Sequence, residues 1–250
     1  ILMKFNSSGT KQWTKQLVTS NRQFDQGSSS FIDSSGNIYV TGSTGLLLFP
    51  SDYGDIFLIK FNSSGTKIWT KQLGTTEMDF GLGVTTDPSG NIYVTGFTKG
   101  DLDGNTNSGG QDIFLVKYNS YGTKQWTKQL GTSSRDAGRS VTTDPSGNIY
   151  VTGYAKGDLD GNTNSGSGDI FLVKYDSSGT KQWTKQLGTS TFERGDKVTT
   201  DSSGNIYVTG YTDGDLDGNT SSGGSDIFLI KFNSSGTKIW TKQLGTSKTD

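Results

Sequence analysis

The sequence predicts an all-β protein, a β-propeller of four-stranded antiparallel blades, on three observations. First, tryptophan recurs at Trp13, Trp69, Trp126, Trp183 and Trp240, 56, 57, 57 and 57 residues apart and always inside TKQW or TKIW, which sets a unit of about 57 residues. Second, the 250 residues include 36 glycines and an apolar share of only 29%, a composition of short strands and many turns. Third, each unit holds four extended runs joined by Gly, Ser, Asn and Asp, which is the pattern of an antiparallel meander.

The elements follow in order within the unit from Gly131 to Leu187. A short run, SVTTD, ends at Asp144, and the turn residues PSGN lead from it into Ile149-Tyr150-Val151-Thr152. A long loop precedes Asp169 to Tyr175, a run apolar on both faces, as a strand covered on both sides must be. DSSGT then turns the chain into Lys181 to Leu187. Such sheets cannot bury both faces alone, so they must stack on their neighbours. The rival is a linear β-solenoid, whose repeats are usually shorter and whose strands are parallel, whereas hairpin-length turns favour an up-and-down meander. Residues 1–18 form a half blade, 19–74, 75–131, 132–188 and 189–245 form full blades, and 246–250 form a tail. The expectation is 4.5 blades, either a five-bladed ring or a segment of a larger array. Ile1 opens in mid-pattern without a signal-like segment, so a longer precursor with further repeats is expected.

Composition narrows the function. A net charge of −1 with mixed signs gives no field for nucleic acid, and no apolar run approaches a membrane span, so neither nucleic-acid binding nor membrane insertion is expected. Histidine and cysteine are both absent, which removes Ser-His-Asp and Cys-His sites and thiolate metal centres. The two glutamates, Glu77 and Glu193, stand in unequal contexts and form no glycosidase pair. The expected role is non-enzymatic: a structural or interaction scaffold with a protein or glycan partner.

The run TTDPSGNIYVTGYAKG, followed by GSGDIFLVKYDSSGTKQWTKQLGTS, resembles the SBBP repeat, a bacterial β-propeller repeat with a DSSGNVYVTG segment, a FVxKY strand and a W-x-x-Q-L-G strand. The resemblance covers essentially the whole chain. It implies a propeller and, as in many members, a secreted or cell-surface bacterial protein. It implies no common activity.

Two features are candidate sites. In a meander the loops after the second and fourth strands emerge at one end, and the copies diverge there: TTEMDFGLG, TSSRDAGRS and TSTFERGDK follow the fourth strands. That end is the expected binding face. The other feature is the DLDGNT loop. Asp101, Asp103, Asn105 and Asp112 stand at positions 1, 3, 5 and 12, repeated by Asp158, Asp160, Asn162, Asp169 and by Asp215, Asp217, Asn219, Asp226. Oxygen ligands at this spacing suit Ca²⁺, although Thr106 replaces the usual glycine at position 6 and Asp replaces the closing Glu. Asp and Asn hydrogen-bonding their own backbone in a polar turn is the competing account. The first full blade reads TGLLLFPSDYG instead, and there Leu46, Leu47, Leu48 and Phe49 either cap an inter-blade gap or form a contact patch. Along Lys124 to Leu130, Lys and Trp share one face; edge protection with Trp packing on the next blade is expected over a ligand platform.

Overall fold

The computed structural model describes residues 1–16, 25–45 and 54–248. Leu46 to Phe49 lie outside these residues. Among the described residues, eighteen strands form five sheets. The half blade is a hairpin of β1 (Leu2–Phe5) and β2 (Lys11–Lys15). Blade one comprises β3 (Asp25–Ile32), β4 (Ile38–Thr44), β5 (Ile56–Phe61) and β6 (Lys67–Leu73). Blade two comprises β7 (Asp79–Thr86), β8 (Ile92–Thr98), β9 (Asp112–Tyr118) and β10 (Lys124–Leu130). Blade three comprises β11 (Asp136–Thr143), β12 (Ile149–Ala155), β13 (Asp169–Tyr175) and β14 (Lys181–Leu187). Blade four comprises β15 (Glu193–Thr200), β16 (Ile206–Thr212), β17 (Asp226–Phe232) and β18 (Lys238–Leu244). Each full blade is an antiparallel meander in chain order. No helix among the described residues is long and apolar enough to cross a membrane.

The repeated residues hold each blade and tie it to the next. In the first turn of blade three, Asp144 Oδ1 accepts the backbone N–H groups of Ser146 and Asn148, each at 2.9 Å. Its Oδ2 accepts from Asn148 Nδ2 at 2.7 Å and from the buried Tyr150 hydroxyl at 2.9 Å. The same carboxylate, amide and phenol recur around Asp33, Asp87 and Asp201. The third-strand lysine reaches across the blade boundary: Lys117 Nζ donates to the Ser177 carbonyl at 2.8 Å, as Lys4, Lys60 and Lys174 do to Ser63, Ser120 and Ser234.

The tryptophan follows the same route. Trp126 leans on Tyr93 of its own blade, with centroids 6.1 Å apart, and lies on the turn of blade three at Gly179. That glycine has φ +83°, and a Cβ there would stand 2.9 Å from the indole, so both the backbone conformation and the indole exclude a side chain. Edge packing is thus the role of the fourth-strand tryptophan.

The first strands β3, β7, β11 and β15 lie side by side, so the blades form an arc. The arc is not closed by the described residues. Ile113, Leu115, Ile170 and Leu172 are at most 2% exposed between blades, whereas their counterparts Ile227 and Leu229 on blade four are 47% and 39% exposed. The loss of burial comes from the missing neighbour, because the residue types are unchanged.

Candidate functional site at the axial opening

The first strand starts earlier than SVTTD predicts. In blade three it begins at Asp136, so much of what reads as a loop after the fourth strand is strand. Its pairing with the second strand skips one residue in every blade: Ser28, Leu82, Arg139 and Asp196 have no partner in the register. An unpaired residue of this kind is a β-bulge, which breaks the two-residue alternation and re-aims a side chain. Here the four bulge residues all line one cavity of about 940 Å³ between the first strands, at the long-loop end of the arc.

The copies differ at the positions that face this cavity. Following Asp25, Asp79, Asp136 and Glu193, the first strands read QGSS, FGLG, AGRS and RGDK. The retained glycine is needed for blade-to-blade approach: a Cβ on Gly138 would stand 2.3 Å from Thr95 Oγ1. Blade two supplies an apolar wall, with Phe80 and Phe97 stacked at 5.8 Å beside Met78 and Leu82. Blades three and four supply a basic wall. Arg139 Nε and Arg194 Nε donate to the same oxygen, Asp196 Oδ1, at 2.7 and 2.8 Å. Arg194 also lies over the Tyr211 ring at 4.7 Å. Burial pushes the Tyr154 hydroxyl up, and the charges of Arg139, Arg194 and Arg135 act against that rise.

The opposite end of the axis is uniform. A space of about 480 Å³ is lined there by Asp33, Asp87, Asp144 and Asp201 with their turn residues. These carboxylates already hold the hairpin turns, and hydrogen bonds from Asn205 and from Asn37 keep Asp201 and Asp33 below the usual carboxylate range, in Asp33 against the opposing effect of burial.

The Asp-rich loops put their oxygen atoms to separate uses. Asp101 Oδ1 accepts the Asn107 N–H at 2.8 Å, and Asp103, in left-handed backbone at φ 56°, pairs with Lys124. Asn105 turns its amide nitrogen to the Leu102 carbonyl at 2.8 Å, while Leu102 itself is fully buried. Asp158, Asp160 and Asn162, and Asp215, Asp217 and Asn219, repeat these bonds. Asp112, Asp169 and Asp226 are buried at the heads of the third strands, where each Oδ2 accepts a loop N–H and each Oδ1 is unpartnered. Among the described residues no three His, Cys, Asp or Glu side chains converge as a metal site. The calcium reading therefore rests on the spacing of the loop alone. Glu193, the glutamate of blade four, is buried and accepts from Thr189, Thr191 and Thr212.

The SBBP family model, described as a beta-propeller repeat, matches residues 12–45, 68–103, 125–160 and 182–217. The chain belongs to the SBBP family. Each SBBP match runs from a fourth strand through the next blade's first two strands, so it contains the axial strand and its bulge. An uncharacterized WD repeat-containing protein of Acanthamoeba polyphaga mimivirus is 29% identical over 228 residues, covering 71% of this chain and 16% of its own length. The regulatory protein FlaEY of Caulobacter vibrioides is 28% identical over 207 residues, covering 74% of this chain and 22% of its own. The SBBP chain thus spans about a sixth to a fifth of these curated relatives. A gluconolactonase structure from Xanthomonas campestris aligns with a TM-score of 0.47 at 12% identity, over 83% of this chain and 61% of that one.

Proposed function

We propose that this SBBP chain is a non-catalytic binding and scaffolding module, displayed on a bacterial surface or secreted, that engages a protein or glycan partner at the long-loop end of its axial opening. One observation carries this reading. Turns, Trp contacts and Lys contacts repeat almost without change, while Phe80, Leu82, Arg139, Arg194, Asp196 and Lys197 differ from blade to blade and meet around a single cavity. A purely structural repeat has no need of such divergence at its axis, because inter-blade packing uses the residues that do not change. Clefts that join an apolar lining to a few convergent polar groups are the usual form of a binding site. The absence of histidine and cysteine favours binding over catalysis.

The test is a glycan array and an affinity capture with the intact chain, compared with the triple variant Phe97→Ala, Arg139→Gln, Arg194→Gln. Specific capture that the triple variant loses supports the module. Capture of nothing refutes the binding role, and capture that the variant retains removes it from the axial opening.

A further inference from the structure

The four arginines of the chain, Arg22, Arg135, Arg139 and Arg194, all fall in the divergent segments that follow a fourth strand. Arg139 and Arg194 line the blade three and blade four side of the cavity together with Tyr154. Among the cavity-lining residues Arg139, Arg194 and Lys197 face one carboxylate, Asp196, so three positive charges less one negative leave a net of +2. Asp196 also fixes both guanidiniums through their Nε atoms. The two terminal nitrogens of Arg139 make no hydrogen bond among the described residues, nor does Lys197 Nζ. A guanidinium held at Nε with its outer edge free is pre-positioned for a planar anion. Across the opening the stacked Phe80 and Phe97, with Leu82 and Met78, offer only apolar surface.

We propose that the axial cavity binds a small molecule that carries a carboxylate on an apolar, ring-sized body, with the carboxylate on Arg139 and Lys197 and the body against Phe80 and Phe97. This goes beyond the protein or glycan partner proposed above and rests on the reading of the axial opening as the binding site. The cavity, about 940 Å³, lies within the range of small-molecule sites. Its two walls require both properties in one ligand: a bare anion leaves the phenyl wall wet, and an uncharged ring leaves the guanidinium edge without an acceptor.

The experiment uses the intact chain in titration calorimetry and ligand-observed NMR. The probe is 3-phenylpropionate; 3-phenylpropanol has the body without the charge, and propionate the charge without the body. Saturable binding of 3-phenylpropionate is expected, at least about tenfold tighter than either comparison compound and weakened by at least about tenfold in Arg139→Gln and in Phe97→Ala. Unchanged circular dichroism in Arg139→Gln ties its loss to the site, and Lys197→Gln, at an unpaired residue, provides a second reading. Equal binding of acid and alcohol, no saturable binding, or indifference to both Arg139→Gln and Lys197→Gln overturns the proposal. Preference by about tenfold for the capped peptide acetyl-Gly-Phe-Glu-Gly-amide over 3-phenylpropionate also overturns it, in favour of a polypeptide occupant. If these probes fail while array or affinity capture persists and the axial triple variant abolishes it, the ligand class is wrong and the binding role stands. If capture fails as well, both fall.

Discussion

Replacing Asp144 by alanine removes the acceptor of four hydrogen bonds: two backbone N–H groups, the Asn148 amide and the Tyr150 hydroxyl. The two N–H groups sit in a hairpin turn and the Asn148 side chain is half-buried, so water replaces much of what they lose. Tyr150 is 0% exposed, so its hydroxyl is left buried without an acceptor. That orphaned group costs about 1–3 kcal/mol, and loss of the charged acceptor in the turn adds about 1 kcal/mol. The expected loss is about 3 kcal/mol. Tyr150→Phe removes one donor while Asp144 keeps its other three, so it costs about 1 kcal/mol. In the double variant no phenol is left to orphan, so it costs about 1–2 kcal/mol, and the sum of the single effects exceeds the double effect by about 2–3 kcal/mol. Urea unfolding followed by tryptophan fluorescence measures these values, with amide exchange in β12 reporting blade three directly, because stacked repeats need not unfold together. A loss below about 1 kcal/mol for Asp144→Ala, or strict additivity with Tyr150→Phe, would refute the reasoning.

Three further outcomes follow. Gly179→Ala strains a residue at φ +83° and drives a methyl into Trp126, so a loss of about 1–3 kcal/mol is expected in thermal or urea melts, against little change for Gly161→Ala beyond its own φ strain, since nothing lies within 4 Å there. Asp169 Oδ1 is buried and unpartnered, and Gly188 sits beside both it and Glu193 Oε2; burial first, then the Glu193 charge, push the Asp169 carboxyl up. An acid held above its unfolded value stabilises the fold below that unfolded value and loses the contribution as pH rises through the folded one. Asp169→Asn should therefore raise stability at pH 7, with the gain shrinking towards pH 4 in parallel melts; a gain independent of pH would contradict the assignment. Excess chelator should leave the melting temperature unchanged, because Asp101, Asp103 and Asn105 already have protein partners; a calcium-dependent rise would restore a cation to those loops.

Much of this was legible in the residues. The tryptophan period, the four runs per unit and the PSGN and DSSGT turns located the blades, because each depends on near neighbours in sequence. The packing role of Trp126 was legible as well, from its place on an edge strand. The start of the first strand was missed, since Gly138 and the polar residues around it read as loop until a neighbouring blade covers them. The DLDGNT loops showed cation-like spacing, yet spacing does not say which way an oxygen points, and Lys124 and the Asn107 N–H claim the oxygens first. The signal for the axial site was present as divergence among near-identical copies, with all four arginines in the divergent segments.

By itself, then, the sequence determined the repeat, its strands, its turns and the residue types that stack one blade on another, because these follow from local propensity and a fixed period. Only the tertiary structure decided that Leu82, Arg139 and Asp196 share one cavity. The bulges break the alternation that would have assigned their faces, and residues 57 apart become neighbours only when whole blades pack side by side.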